Sequence, residues 1–143
     1  MADPFDLVRF VHAQADTYAQ ALAEIRAGRK RSHWMWFVFP QIAGLGSSAM
    51  AERYAIRSLA EAREYLQHPV LGPRLLECSE SACAVTNRSA LEIFGTPDDL
   101  KLRSSATLFD AVSAPGSVFN RALQKFFDGQ RDARTLAIIG RAG

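Results

Sequence analysis

Helix start signals recur along this chain at short intervals, and they constrain its fold more than any other feature. Ser58-Leu59-Ala60-Glu61 and Ser89-Ala90-Leu91-Glu92 have the spacing of a capping box, in which serine and glutamate side chains satisfy backbone groups of the first turn. Pro97-Asp98-Asp99 places proline and acids where a helix begins, and Ser117 and Asp132 precede further apolar segments. The sequence therefore predicts a succession of short helices.

The first 46 residues divide into two segments of different character. Apolar residues recur every three or four positions over residues 4–27, which predicts one amphipathic helix that Asp3 caps and Gly28 ends. Residues 28–46 follow neither the helical period nor the strand period, and they contain Pro40. This second segment is predicted to be a long, irregular, aromatic-rich loop, and such loops are often functional.

Length and composition fit one domain. The chain has 143 residues, of which 48% are hydrophobic and 22% are charged, a composition typical of globular proteins that bury a core without metals or disulfides. No composition shift marks a second domain. We predict an all-α fold of six to eight helices, forming a single helical domain over residues 1–143.

Several function classes are disfavoured. A net charge of +2 makes nucleic-acid binding the weakest hypothesis, and two cysteines are too few for a disulfide framework. The three histidines are scattered without metal-ligand spacing, so no metal and no cofactor are predicted. The acidic N-terminus and the absence of a long apolar run predict a cytoplasmic protein without a membrane segment.

A basic and aromatic segment is the first candidate site. Arg29, Lys30 and Arg31 precede Ser32-His33-Trp34-Met35-Trp36, which holds both tryptophans of the chain. Cations bind phosphate, and an indole ring stacks on a nucleobase. The structural alternative is equally open, because cations complement the dipole at a helix C-terminus and such an aromatic run is often core.

A second candidate lies in the segment Lys101-Leu102-Arg103-Ser104-Ser105-Ala106-Thr107. Two cations and three hydroxyl groups within seven residues suit an anionic ligand. The alternative is a polar helix face that only meets solvent. If the fold brings the two candidate segments together, they form one phosphate-sized pocket with an aromatic wall.

Both segments belong to a longer resemblance. The chain resembles the family known as domain of unknown function 1810, which implies a mainly α-helical fold but supplies no catalytic residues. The arrangement is also similar to a separate helical family of N-glycosidases that act on riboflavin intermediates and ADP-ribosylated bases. The first resemblance rests on the segments Ser32 to Gln41, Gly44 to Ser48, Tyr65 to Gly72, Ile93 to Asp98 and Lys101 to Phe109.

The leading hypothesis is a pocket for a phosphorylated nucleotide-like ligand, of the ADP-ribose or N-glycoside class, whose glycosidic bond the protein could hydrolyse. The alternative is a non-enzymatic protein-interaction module with an apolar docking patch; its protein partner is unknown. In the leading hypothesis, cations bind phosphate, indoles stack and polar groups orient water or transfer a proton. The predicted catalytic residues are His33, Gln41 and Asp98, and the predicted ligand-binding residues are Lys30, Ser32, Trp34, Trp36, Lys101, Arg103, Ser104 and Ser105.

Overall fold

A computed structural model describes residues 2–142, and these residues form ten helices and no β-strand. The all-α prediction is confirmed, with ten helical segments where six to eight were predicted. The additional segments come from a break in the first predicted helix and from two short helices near the loop. The helices are α1 (Val8–Gln14), α2 (Tyr18–Arg26), α3 (Met35–Val38), α4 (Ala49–Arg53), α5 (Leu59–Gln67), α6 (Leu71–Ala84), α7 (Ala90–Phe94), α8 (Asp98–Asp110), α9 (Val118–Phe127) and α10 (Ala133–Ala142).

The predicted capping residues begin the helices that follow them. The Ser58 hydroxyl accepts a hydrogen bond from the Glu61 backbone N–H at 3.1 Å, and Ser117 caps α9 in the same way. At Ser89 the capping box is complete, because the Glu92 carboxylate also accepts from the Ser89 backbone N–H. These side chains satisfy N–H groups that a helix leaves free at its start.

The first predicted helix is divided into α1 and α2, so the prediction of one helix over residues 4–27 was wrong. The chain turns after Gln14, whose buried amide donates to the Phe37 backbone carbonyl at 2.6 Å and to the Tyr65 hydroxyl at 3.1 Å. Because α1 packs on α3 whereas α2 packs on α6, one straight helix would not reach both partners. Asp3 still accepts hydrogen bonds from the first turn, at the Leu7 backbone N–H.

The segment predicted as an irregular loop contains local structure. Its aromatic centre forms α3, and residues after Pro40 run alongside the chain that precedes α5. There the Ile56 N–H donates to the Gln41 carbonyl, and the Ala43 N–H donates to the Ile56 carbonyl, each at 2.8 Å. The segment therefore consists of the short helix α3 flanked by turns and irregular chain, rather than one long irregular loop.

A buried ion pair holds the chain that precedes α5 in place. The Arg9 guanidinium on α1 lies 2.8 Å from the Glu61 carboxylate on α5, and both side chains are almost fully buried. Arg9 also donates to the Arg53 and Ala55 backbone carbonyls at 2.8 Å. These bonds satisfy charges that would be costly to bury alone, and they hold residues 53–56 against the core.

Candidate ligand-binding cleft

The basic and aromatic segment is anchored by a glutamate on α2. The Glu24 carboxylate accepts hydrogen bonds from the Arg31 backbone N–H at 2.8 Å, the Ser32 hydroxyl at 2.7 Å and the Trp34 indole N–H at 2.9 Å. Burial opposes ionisation of this group, but the hydrogen bonds outweigh it and lower the Glu24 pKa to about 2. Glu24 therefore acts as an ionised anchor for the loop.

Two of the predicted ligand contacts, Ser32 and Trp34, interact with this anchor and lie outside the cleft. Trp34 has no exposed surface, so its ring offers no face to a ligand and it belongs to the core. The Ser32 hydroxyl is engaged with Glu24 and is not part of the cleft described below. Trp34 is therefore part of the aromatic core, whereas Trp36 is half-buried and packs against the edge of that core.

The two candidate segments meet at Asp98. The Lys30 ammonium lies 2.8 Å from one Asp98 carboxylate oxygen, and the Lys101 ammonium lies 3.5 Å from the other. Each lysine also lies over an indole ring, Lys30 over Trp34 at 5.0 Å and Lys101 over Trp36 at 5.2 Å. Asp98 thus joins the loop to the start of α8, and its role in this geometry is to position cations.

A cleft of about 520 Å³ opens beside this junction. Four residues predicted from the sequence line it: Gln41 from the loop, and Lys101, Arg103 and Ser104 from α8. Ser104 donates to the Leu100 backbone carbonyl at 3.2 Å, which leaves its oxygen able to accept. An adjoining recess of about 120 Å³ shares Gln41 with the cleft and is lined by the aromatic residues Trp36 and Tyr54.

The other predicted residues lie outside the cleft. Ser105 is 1% exposed and packs on the inner side of α8, which places its hydroxyl away from a ligand. His33 is exposed, and it lines neither the cleft nor the recess. Lys30 and Asp98 lie behind Lys101 and are not among the lining residues.

Four polar residues that line the cleft were not predicted as site residues from the sequence. Ser47 and Ser48 follow the loop, while Asp132 and Arg134 stand at the start of α10. Gly44 to Ser48 is one of the segments that carry the family resemblance, so a signal for the two serines was present. No local pattern distinguishes Arg134, because its place depends on the packing of α10 against α8.

The electrostatics of the cleft are set by an excess of cations. Of the described residues that line it, Lys101, Arg103 and Arg134 are cationic and Asp132 is anionic. The Arg103 guanidinium is 3.8 Å from the Asp132 carboxylate, a loose contact. Its Nε is buried and has no hydrogen-bond partner among residues 2–142. The donors of Arg103 are therefore under-used, which is costly in a buried group.

The fold and cleft together define a small helical protein with a cation-lined cleft. The chain belongs to the DUF1810 family, described as a protein of unknown function, and matches it over residues 4–139, which confirms the resemblance seen in the sequence. It is also similar to a crystal structure of the conserved hypothetical protein Rv1873 from Mycobacterium tuberculosis. The two chains are 56% identical with a TM-score of 0.95, over 96% of this chain and 99% of that one.

No curated protein matches the chain. None of the helices in the described part of the chain has the length and apolar character needed to cross a membrane. Within residues 2–142, no group of three or more His, Cys, Asp or Glu side chains is arranged to hold a metal ion.

Proposed function

We propose that this protein binds a phosphorylated nucleotide-like ligand, of the ADP-ribose or N-glycoside class, in the cytoplasm. The observation that carries the proposal is the convergence of Lys101, Arg103 and Arg134 on one cleft that contains a single carboxylate, Asp132, among its described lining residues. Such a group of cations binds phosphoryl oxygens through charge-assisted hydrogen bonds.

The size and polarity of the cleft support a small-molecule ligand. A volume of about 520 Å³ lies within the range of roughly 300–1,000 Å³ typical of ligand pockets. The hydroxyl groups of Ser47, Ser48 and Ser104 add hydrogen-bonding groups to the lining of the cleft. This mixture suits a phosphorylated sugar better than an apolar molecule.

The adjoining recess supports a planar ring as the second part of the ligand. Trp36 and Tyr54 provide aromatic surface there, and Gln41 lines both compartments. An amide group can donate to and accept from the edge of a nucleobase, while aromatic side chains stack on its face. A ligand with phosphate in the cleft and its base in the recess would occupy both compartments.

The proposal is confined to binding. Of the residues predicted to orient water or transfer a proton, Gln41 lines the cleft, whereas Asp98 is engaged by Lys30 and Lys101, and His33 lies on the surface. Hydrolysis of an N-glycosidic or ADP-ribosyl bond is therefore an outcome to be measured by chromatography of each bound ligand after incubation.

The competing hypothesis, a protein-interaction module, requires a contiguous apolar patch. Among the described residues, the large exposed apolar side chains lie on six different helices; they are Val8, Met50, Leu76, Leu91, Leu100 and Leu136. The proximity of Lys30 and Lys101, both at Asp98, and the charged and hydroxyl-bearing side chains among the residues that line the cleft favour a ligand pocket. The burial of Trp34 is compatible with either hypothesis.

The test is a thermal-shift panel of nucleotides, NAD, ADP-ribose, sugar phosphates and flavin precursors. A ligand at 100 times its Kd adds about 2.7 kcal/mol of stability, which raises the Tm of a domain this size by several degrees. We expect Lys101→Met to lose the thermal shift. Lys125→Met should retain it, because Lys125 is an exposed residue that does not line the cleft and instead donates to the Cys83 and Val85 backbone carbonyls. No shift with any phosphorylated compound would overturn the proposal.

A further inference from the structure

We infer that the ligand carries two phosphoryl groups, one bound at each edge of the α8 face that forms the floor of the cleft. This inference rests on the proposed function and narrows its ligand class. The reason is that the cations of the cleft lie in two groups, one at each edge of this α8 face.

Helix geometry separates the two cations of α8. Successive residues of an α-helix are rotated by about 100°, so Lys101 and Arg103 differ by about 200° around the axis. The lining residues Pro97, Leu100 and Ser104 fall on the arc between them. Lys101 and Arg103 therefore approach the cleft from opposite edges of one helix face and do not form a single paired site.

Contacts hold Lys101 at the first edge. Its ammonium lies 3.5 Å from the Asp98 carboxylate and 5.2 Å from the centre of the Trp36 ring. Asp98 is bound more closely by Lys30, at 2.8 Å, and the Lys30 side chain is only 7% exposed. Because one carboxylate serves two ammonium groups, this edge keeps an excess of positive charge.

Different contacts hold Arg103 at the second edge. Its guanidinium lies 3.8 Å from Asp132 and 5.8 Å from the centre of the Phe127 ring, on the side of α9 and α10. Arg134 from α10 lines the same cleft and donates to the Gly44 backbone carbonyl at 3.3 Å. Two guanidinium groups with one carboxylate again leave an excess of positive charge.

A single phosphoryl group would neutralise only one of these edges. Two phosphoryl groups would neutralise both, and they could be joined as a diphosphate or attached to different hydroxyl groups of one sugar. The serine hydroxyls and the Leu100–Ser104 floor would then face the part of the ligand between them. The chemistry shared by both possibilities is a nucleotide with two anionic groups.

The test compares three ligands of the same base by isothermal titration calorimetry: a nucleoside monophosphate, the 5′-diphosphate and the 3′,5′-bisphosphate. We expect wild-type protein to bind one of the two-phosphoryl ligands about tenfold more tightly than the monophosphate, a difference of about 1.4 kcal/mol. The preferred member of that pair identifies how the phosphoryl groups are joined.

Variants at each edge give the decisive pattern. Lys101→Met and Arg134→Met should each weaken the two-phosphoryl ligand by about fivefold or more, a loss of roughly 1 kcal/mol, whereas the monophosphate should respond to only one of them. Arg63→Met, a charge-matched change at an exposed position on α5, should leave all affinities unchanged. Circular dichroism of each variant verifies the fold, and Arg134 is itself exposed.

The outcomes separate this inference from the proposed function. Equal affinity for the monophosphate and both two-phosphoryl ligands would overturn the inference while the proposal of nucleotide binding stands. Equal weakening of all three ligands by both variants would also overturn it, because it would indicate a single anion site. Failure of every phosphorylated ligand to bind would overturn both.

Discussion

The indole N–H of Trp34 donates a hydrogen bond to the Glu24 carboxylate across 2.9 Å, inside the protein. The same carboxylate accepts from Ser32 and from the backbone N–H of Arg31. One side chain on α2 therefore sets the path of the loop that leads to α3. The cleft depends on this path, because Trp36 and Gln41 follow in the same segment.

Replacing Glu24 with glutamine should destabilise the protein strongly. Glutamine removes the charge and turns an amide donor toward groups that are themselves donors, so buried hydrogen bonds are lost. We expect the free energy of unfolding to fall by about 3 kcal/mol, measured by urea denaturation at pH 7. Glu64→Gln at an exposed site on α5 is the matched control, and an equal effect of both changes would contradict the role of Glu24.

The same carboxylate should make stability depend on pH. Its pKa in the folded protein is about 2, below its ordinary value of 4.5, so its contribution is complete above about pH 5 and is lost as pH falls toward 2. The difference in unfolding free energy between wild type and Glu24→Gln should therefore shrink over this range. Urea titrations between pH 2 and pH 7 measure it, and a constant difference would exclude the effect.

The sequence predicted features that depend on residues close together in the chain, but not features that depend on residues far apart in it. The helix starts at Ser58, Ser89 and Asp132 were predictable because their caps bind backbone groups three residues away. The turn after Gln14 was not, since its cause is a contact with Phe37, far along the chain. At this turn, tertiary packing outweighed the continuous helical spacing of the apolar residues.

The same dependence on sequence separation applies to the residues that line the candidate cleft. Lys101, Arg103 and Ser104 lie within one helical turn, so their grouping was visible in the sequence. That Trp34 is buried while Trp36 borders a recess was not visible, because two tryptophans separated by one residue differ only in the surroundings that the fold gives them. Arg134 likewise reaches the cleft through the packing of α10.

The two tryptophans should differ in their access to a quencher. Trp34 has no exposed surface, whereas Trp36 is half-buried at the recess. Acrylamide should quench the fluorescence of wild-type protein in two components, and Trp36→Phe should remove the accessible one. Trp34→Phe should retain it. A single quenching constant shared by both variants would contradict the different environments.

Replacing either of two helical glycines with alanine should change the stability of the protein, and in opposite directions. A Cβ atom at Gly72 in α6 would lie 2.0 Å from the Leu66 backbone carbonyl oxygen, so Gly72→Ala should cost about 2 kcal/mol or more through forced movement of the backbone. A Cβ atom at Gly140 meets no described atom within 4 Å, and Gly140→Ala should stabilise α10 by about 0.5–1 kcal/mol. Thermal denaturation measures both, and the reverse order would contradict the packing at Gly72.

The buried thiol of Cys78 should be unreactive in the folded protein. Burial raises its pKa to about 12, so almost none is present as the nucleophilic thiolate at pH 8. In Cys83→Ala, which leaves Cys78 as the remaining cysteine, Ellman's reagent should react only after guanidinium unfolds the chain. Prompt reaction in native buffer would show that the Cys78 side chain is accessible.

The position of Lys101 between Asp98 and Trp36 also has an entropic consequence. A free lysine side chain loses roughly 2 kcal/mol of rotational freedom when it becomes fixed. Here much of that freedom is already lost when the protein folds, since the carboxylate and the indole ring restrict the ammonium on two sides. An anion that meets this preorganised ammonium group therefore binds with a smaller entropic penalty than it would at a mobile surface lysine.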